Sequence, residues 1–225
     1  MGIFRKYYNM TRKPEGILGK IMARRMNVGH HVRLANWGMR FLPKRKAAKG
    51  CCRSCCGCAK KAPFRICDFG CGGGRNVGEL LRRFKRAEVT GLDYSDVSVK
   101  ETKKRNARAI KAGRCQVVKG DVSRLDLPAG SLDLATAFET VYFWPGLAKC
   151  FAEVRKTLRP GGAFLIVNED DGEDEAHNRE LEAVIDGLKL HKASEIKAAL
   201  LEAGFSAVRV WHHKKHPWIA VLAKN

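Results

Sequence analysis

The stretch Cys67–Leu81, CDFGCGGGRNVGELL, places four glycines within five residues, Gly70, Gly72, Gly73 and Gly74, between two apolar runs. A backbone that bare can turn tightly and let a ligand approach the main chain. The run before it, FRICDFG, reads as a short buried strand, and the run after it, NVGELLRRFKR, as an amphipathic helix. The glycines therefore stand where a strand ends and a helix opens, beside the positive end of the helix dipole.

Working outward, strands and helices follow each other. AEVTGLD, CQVVKGD, SLDLATAFE and AFLIVNE read as strands, and SDVSVKETKKRNARAIKAG, PGLAKCFAEVRKTLRPGG and ASEIKAALLEAGF as helices, the second stopped by Pro160 and Gly161. SAVRVWHH and WIAVLAK form a closing pair of strands. This order predicts an α/β fold of the Rossmann-like, doubly wound type, with a mostly parallel sheet of seven strands. The ligand site of such a sheet lies at the carboxyl ends of its strands.

A dinucleotide fingerprint would share the first two glycines, Gly70 and Gly72, but wants a third three residues on, where Arg75 stands. Three acids sharpen the choice. Asp68 precedes the glycines, where it would repel a pyrophosphate. Asp93 ends the second strand, where a carboxylate can accept both ribose hydroxyls. Asp121 ends the third and can accept from an adenine amino group. A ligand with adenine, ribose and a cationic amino acid, but no phosphate, satisfies all three, and that ligand is S-adenosylmethionine.

Residues 64–170 resemble the class I S-adenosylmethionine-dependent methyltransferases. DFGCGGG resembles the first motif of that family, GLDYS its second-strand acid motif, GDVSRLDLPAGSLDLATA its adenine loop and fourth strand, and LRPGGAFLIVNE its fifth strand. The tail from LLEAGFSAVRVWHH onward is similar to the closing helix and reversed hairpin, so the last strand should run antiparallel. More narrowly, AFETVYFWPGL and MNVGHHVRLANWG resemble a group of small bacterial and archaeal methyltransferases, in which N-terminal helices would cap the cofactor. The resemblance implies that Gly70 and Gly72 hold the methionine part of S-adenosylmethionine, with Asp68 facing its ammonium. Asp93 would take the ribose and Tyr94 would pack on the adenine, whose edge would meet Asp121 and Val122. Phe138 and Glu139 would floor the reaction site.

Methyl transfer from a sulfonium is an in-line displacement, so the protein's main contribution is positioning. Tyr142, Phe143 and Trp144 offer aromatic faces at the mouth of the fourth strand, or serve as core. Where a hydroxyl or amine is the acceptor, His30, His31, Glu139 and Tyr142 are the candidate bases. The acidic run NEDDGEDEAHN, residues 168–178, could hold a cationic substrate or a metal, or be a solvated loop with the charge bias of a helix start.

The formal charge of +20 is uneven: residues 1–65 hold 17 Lys and Arg against the single acid Glu15. That balance suits an anionic partner, and RNA gripped by residues 1–65 is the alternative to a small-molecule acceptor. A non-catalytic cofactor or RNA binder is a third reading, disfavoured by the intact glycine and acid motifs. Residues 1–63 are expected to form a basic helical lid with a Cys-rich linker, and residues 64–225 the methyltransferase domain, which by itself supplies every element the sheet needs. In the lid, Ile17, Leu18, Ile21, Met22 and Met26 and then Val32, Leu34, Trp37, Met39 and Phe41 repeat at helical spacing on either side of Gly29. Trp37 is the expected packing residue. Five cysteines crowd into Cys51–Cys58 without the paired spacing of a zinc site, so no metal is assigned. With no membrane-length apolar run and no signal-peptide core, the nine cysteines read as thiols of a cytoplasmic protein.

Overall fold

The structure is a computed structural model describing residues 9–10, 12–25, 27–43 and 63–225. Met26, the Cys51–Cys58 cluster and most of the linker lie outside the described residues. Two N-terminal helices, α1 (Gly16–Arg25) and α2 (His30–Gly38), precede the sheet, and Gly29 between them takes a positive φ of 61°. The remaining elements are β1 (Phe64–Phe69), α3 (Arg75–Arg83), β2 (Ala87–Asp93), α4 (Asp96–Arg105), α5 (Ala107–Lys111), β3 (Cys115–Lys119) and β4 (Leu132–Phe138). After them come α6 (Leu147–Thr157), β5 (Leu158–Asn168), α7 (Glu175–Val184), α8 (Ala193–Glu202), β6 (Ala207–His212) and β7 (Ile219–Lys224).

The strands form one seven-stranded sheet in the order β3-β2-β1-β4-β5-β7-β6. All pairings from β3 to β5 are parallel, and β7 runs antiparallel to both β5 and β6. The order reverses between β1 and β4, which opens a crevice at their carboxyl ends. Among the described residues no helix is long and apolar enough to cross a membrane.

Both faces of the sheet are dry. On one, Phe151, Phe164, Ile196, Leu200 and Phe205 pack under α6 and α8. On the other, Leu34 and Met39 join Ile66, Val77, Leu80, Leu165 and Val167. The second face is thus covered partly by α2, so an element ahead of residue 64 contributes to the core the later segment was expected to complete alone. Trp37 packs edge-on to Phe41 and His213 at 5.3 and 5.4 Å, on the side of the β6–β7 hairpin. In α1, Met22 and Ala23 are buried, but Ile17, Leu18 and Ile21 face outward, against the expectation that this apolar stripe is covered.

Two local details depart from the sequence reading, and a third bears out the helix-start charge bias of the acidic run. The helix expected over residues 95–113 breaks at Asn106, whose amide donates to Gly74 O and Thr102 O at 2.9 and 3.1 Å instead of continuing one helical face. Pro160 and Gly161 do not end α6; it stops at Thr157, and both residues lie in the exposed start of β5. The acidic run leads into α7, capped by Asp174, whose Oδ1 accepts from Ala176 and His177 N–H at 3.1 and 3.0 Å.

The seat of α2 on the sheet is tight. A Cβ on Gly38 would run into both methyl groups of Val167 on β5. Gly38→Ala should therefore cost about 1–3 kcal/mol through overpacking, measured as a lowered urea midpoint. An unchanged midpoint would mean that α2 is not held against β5.

Candidate active site

The glycine run closes onto the ends of β1 and β2. Gly70 and Gly72 take positive φ angles of 74° and 53°, which side-chain-bearing residues adopt only at a cost. A Cβ on Gly70 would also strike Thr140, the residue after the β4 corner. The N–H groups of Gly70 and Cys71 donate to Leu92 O at 2.8 and 3.1 Å, that of Gly72 to Asp93 Oδ2 at 2.9 Å, and that of Gly74 to Cys71 O at 2.9 Å. Thr102 and Asn106 take the carbonyls of Gly72 and Gly74 at 2.8 and 2.9 Å. The amides of Gly70, Cys71, Gly72 and Gly74 are thus engaged internally. The loop does not present the cradle of free N–H groups that binds a pyrophosphate.

Around the loop lies a cavity of about 190 Å³, bordered by Gly70, Gly72, Asp93, Tyr94, Asp121, Val122 and Glu139 among others. Asp93 is buried, and its carboxylate accepts from Gly72 N–H and from Ser95 N–H, each at 2.9 Å. Burial raises its pKa, and these backbone donors pull it back. Burial also pushes the Tyr94 phenol up to about 12. Asp121 is exposed and closes its own turn, accepting from the N–H and hydroxyl of Ser123 at 2.8 Å.

The N-terminal segment closes the cavity from above. Arg12, Pro14 and Ala23 line it. Tyr94 Oη donates to Arg12 O at 2.5 Å, and Ser95 Oγ donates to Pro14 O at 2.7 Å. Asn27 accepts from Arg75 N–H at 3.1 Å, and Asn36 accepts from the Arg75 guanidinium at 2.7 Å. These lining residues carry no sequence signal, because their roles depend on where α1 docks. Thr140, Phe143 and Trp144 complete the wall.

The expected site residues divide into three groups. Gly70, Gly72, Asp93, Tyr94, Asp121, Val122 and Glu139 meet at the cavity. Phe138 is buried among the side chains under α2 and borders, with His31 and Glu139, a separate pocket of about 40 Å³. Tyr142 turns inward, away from the cavity: its hydroxyl donates to Glu139 Oε1 at 3.3 Å and accepts from Glu169 and Asp170 N–H at 2.9 and 3.3 Å. His30 lies further out, with Nε2 at 3.0 Å from Glu169 and its ring edge-on to Trp218 at 5.1 Å. Asp68 lines neither pocket; it lies at the base of the loop, accepting from Thr136 Oγ1 at 2.7 Å.

The geometry therefore brings two acceptor carboxylates, Asp93 and Asp121, to a cavity beside the glycine loop, in the crevice of a doubly wound sheet. The comparisons agree. The family model described as "Methyltransferase domain" matches residues 67–166. The chain is 28% identical over 162 residues to the sterol 24-C-methyltransferase erg-4 of Neurospora crassa, covering 68% of this chain and 42% of that one. It is also 28% identical over 173 residues to the cycloartenol-C-24-methyltransferase of Arabidopsis thaliana, covering 72% and 51%. The chain thus spans about half or less of these relatives' length. Among solved structures, the candidate methyltransferase in complex with the Haloferax volcanii Trm112 methyltransferase activator superposes with a TM-score of 0.74 at 15% identity, covering 90% of this chain and 93% of that one. The Haemonchus contortus phosphoethanolamine N-methyltransferase 2, solved with S-adenosyl-L-methionine, gives 0.64 at 16%, covering 74% and 50%. Residues 67–166 thus match the methyltransferase-domain family, and the fold is the one shared by the class I S-adenosylmethionine-dependent methyltransferase superfamily. The carboxylates at Asp93 and Asp121 and the bare loop fit that superfamily's cofactor, which brings hydroxyls, an amine and a positive charge.

Asp68 gives a pH test of this geometry. Burial raises its carboxyl from 3.8 to about 7, partly offset by the Thr136 hydroxyl. Between those values the folded chain holds a proton that the unfolded chain has lost, so this group's stability contribution falls as pH rises. Asp68→Asn removes that dependence. Its melting midpoint should gain on that of the unsubstituted chain as pH rises from about 4 to about 7, and a constant difference across the window would rule out the buried proton.

Proposed function

We propose that the chain transfers a methyl group from S-adenosylmethionine to a small-molecule acceptor that enters beside Glu139 and Phe143. The observation that carries this reading is the pairing of an internally engaged glycine loop with acceptor carboxylates at the ends of β2 and β3. When bound, the cofactor supplies a methyl group activated by a sulfonium and leaves as a neutral thioether. Asp93 is oriented to accept ribose hydroxyls on the lone pairs its two backbone donors leave over. Tyr94 and Val122 offer flat and apolar surface to a base, and Asp121 an acceptor to its amino edge. Phe143 and Trp144 give aromatic faces to a cation. Arg12, Pro14 and Ala23 keep water from the cavity, which strengthens each polar contact inside it.

The proton of a hydroxyl or amine acceptor has receivers close by. Burial lowers the pKa of His31, so its ring stays neutral near neutral pH. Glu139 is raised by burial and by the nearby Glu169. Tyr142 and His30 act on Glu139 and Glu169 as positioning residues, through the contacts already given. The small-molecule class is supported by the named substrates of the relatives, sterols and cycloartenol, and by the enclosed cavity. The narrower likeness to small bacterial and archaeal methyltransferases remains part of this proposal. A second reading, an RNA acceptor, is favoured only by the 17 Lys and Arg among residues 1–65.

A labelled-methyl assay on a cell extract, separated into small molecules, RNA and protein, tests the acceptor class. Label among small molecules is expected, label in RNA would favour the second reading, and no transfer to any fraction would refute both. Asp93→Asn should weaken S-adenosylmethionine by about 1–3 kcal/mol, the usual loss at a charged acceptor, read by calorimetric titration. Unchanged affinity would remove Asp93 from the site.

A further inference from the structure

Two residues placed beside the acceptor, His31 and Glu139, also belong with Glu169 to a cluster of ligating groups. His31 in the first turn of α2, Glu139 just after β4 and Glu169 just after β5 bring one donor atom each to within 4.8 Å of one another. The three are far apart in sequence. The parallel pairing of β4 with β5 brings the two glutamates together, locked by Glu139 N–H donating to Val167 O at 2.9 Å. The docking of α2 on the sheet adds the histidine.

Several details of the cluster point the same way. His31 Nδ1 is buried and has no hydrogen-bond partner. It faces Glu139 Oε2 across 3.9 Å. That gap is too long for a hydrogen bond, yet fits within two metal–ligand bonds of about 2.0–2.2 Å each. The other oxygen of Glu139 is fixed, accepting from Glu169 N–H at 2.6 Å and from the Tyr142 hydroxyl at 3.3 Å. Outer contacts of this kind orient a carboxylate whose second oxygen serves as a ligand. Glu139 is also the one non-glycine with positive φ, 61°, among the described residues. Such a conformation is strained and concentrates at active sites and ligand clamps. Two carboxylates held together repel, and a cation between them would relieve this.

We propose that His31, Glu139 and Glu169 form a binding site for a first-row divalent cation, joining α2 to the carboxyl edge of β4 and β5. One imidazole and two carboxylates suit Mn²⁺, Fe²⁺ or Zn²⁺. Three protein ligands leave positions for water or an oxygen of another molecule. His30, 3.0 Å from Glu169, orients that carboxylate from outside.

The test uses the full chain and the metal alone, with neither methyl donor nor acceptor, so its failure would leave the proposed transfer standing. Mn²⁺ is the first probe because it avoids thiols such as Cys51–Cys58; Zn²⁺ is the second, on a chain with those five cysteines changed to serine. Binding of one ion per chain is expected by electron paramagnetic resonance or calorimetry. His31→Ala and Glu169→Gln should each weaken it by roughly tenfold or more, with melting in chelator used to confirm that the variants fold. In the unsubstituted chain, Mn²⁺ should broaden the ring resonances of His31 and His30 before those of His177 and His191. Failure of both ions to bind, binding that survives both substitutions, or broadening centred on other histidines would overturn the proposal.

Discussion

The site depends on one buried carboxylate. Asp93 ends β2, and its two oxygens take the N–H groups of Gly72 and Ser95. The first bond fixes the glycine loop against the neighbouring strand. The second starts α4, whose N-cap is Ser95. From α4, Thr102 and Asn106 reach back to the loop carbonyls, so loop, strand end and helix form a closed ring of hydrogen bonds. A buried charge is expensive unless donors surround it. Here the donors are main-chain groups whose positions the sheet already sets, so the carboxylate is oriented before any ligand arrives.

The N-terminal helices are built onto this ring. Arg75 is gripped by Asn27 and Asn36, while Tyr94 and Ser95 hold the carbonyls of Arg12 and Pro14. Below them α2 contributes Leu34 and Ala35 to the core. A polar seam above and an apolar seat below fix the same segment, so the cover of the cavity and one face of the sheet are a single piece of structure.

Much of this was legible in the sequence, for identifiable reasons. The alternation of strands and helices follows from apolar periodicity, and AEVTGLD falls on β2 residue for residue because it is bounded by charge and a turn. Asp93 and Asp121 could be found because the strand ends could be found. Of helix α7 only the charged start is legible, because it buries none of its residues and so has no apolar stripe to read. The exposed side of α1 was misread for the converse reason: Ile17, Leu18 and Ile21 have helical spacing, but the face that docks is made of Gly19, Met22 and Ala23. The convergence of His31, Glu139 and Glu169 was invisible because strand order and helix docking create it, and no spacing along the chain encodes it.

Gly73 carries a consequence for how such sequences diverge. A Cβ there would collide with the Asn27 amide and the Ala23 carbonyl, both from the N-terminal segment. Its bareness is demanded by the chain's own N-terminal segment. A descendant that lost the cofactor but kept α1 would still have to keep this glycine. One that shed α1 could replace it freely while retaining Gly70, whose constraint comes from Thr140. Within one short glycine run, inheritance is therefore policed by two different neighbours, and a glycine retained at position 73 marks descent of the cover, not of the chemistry.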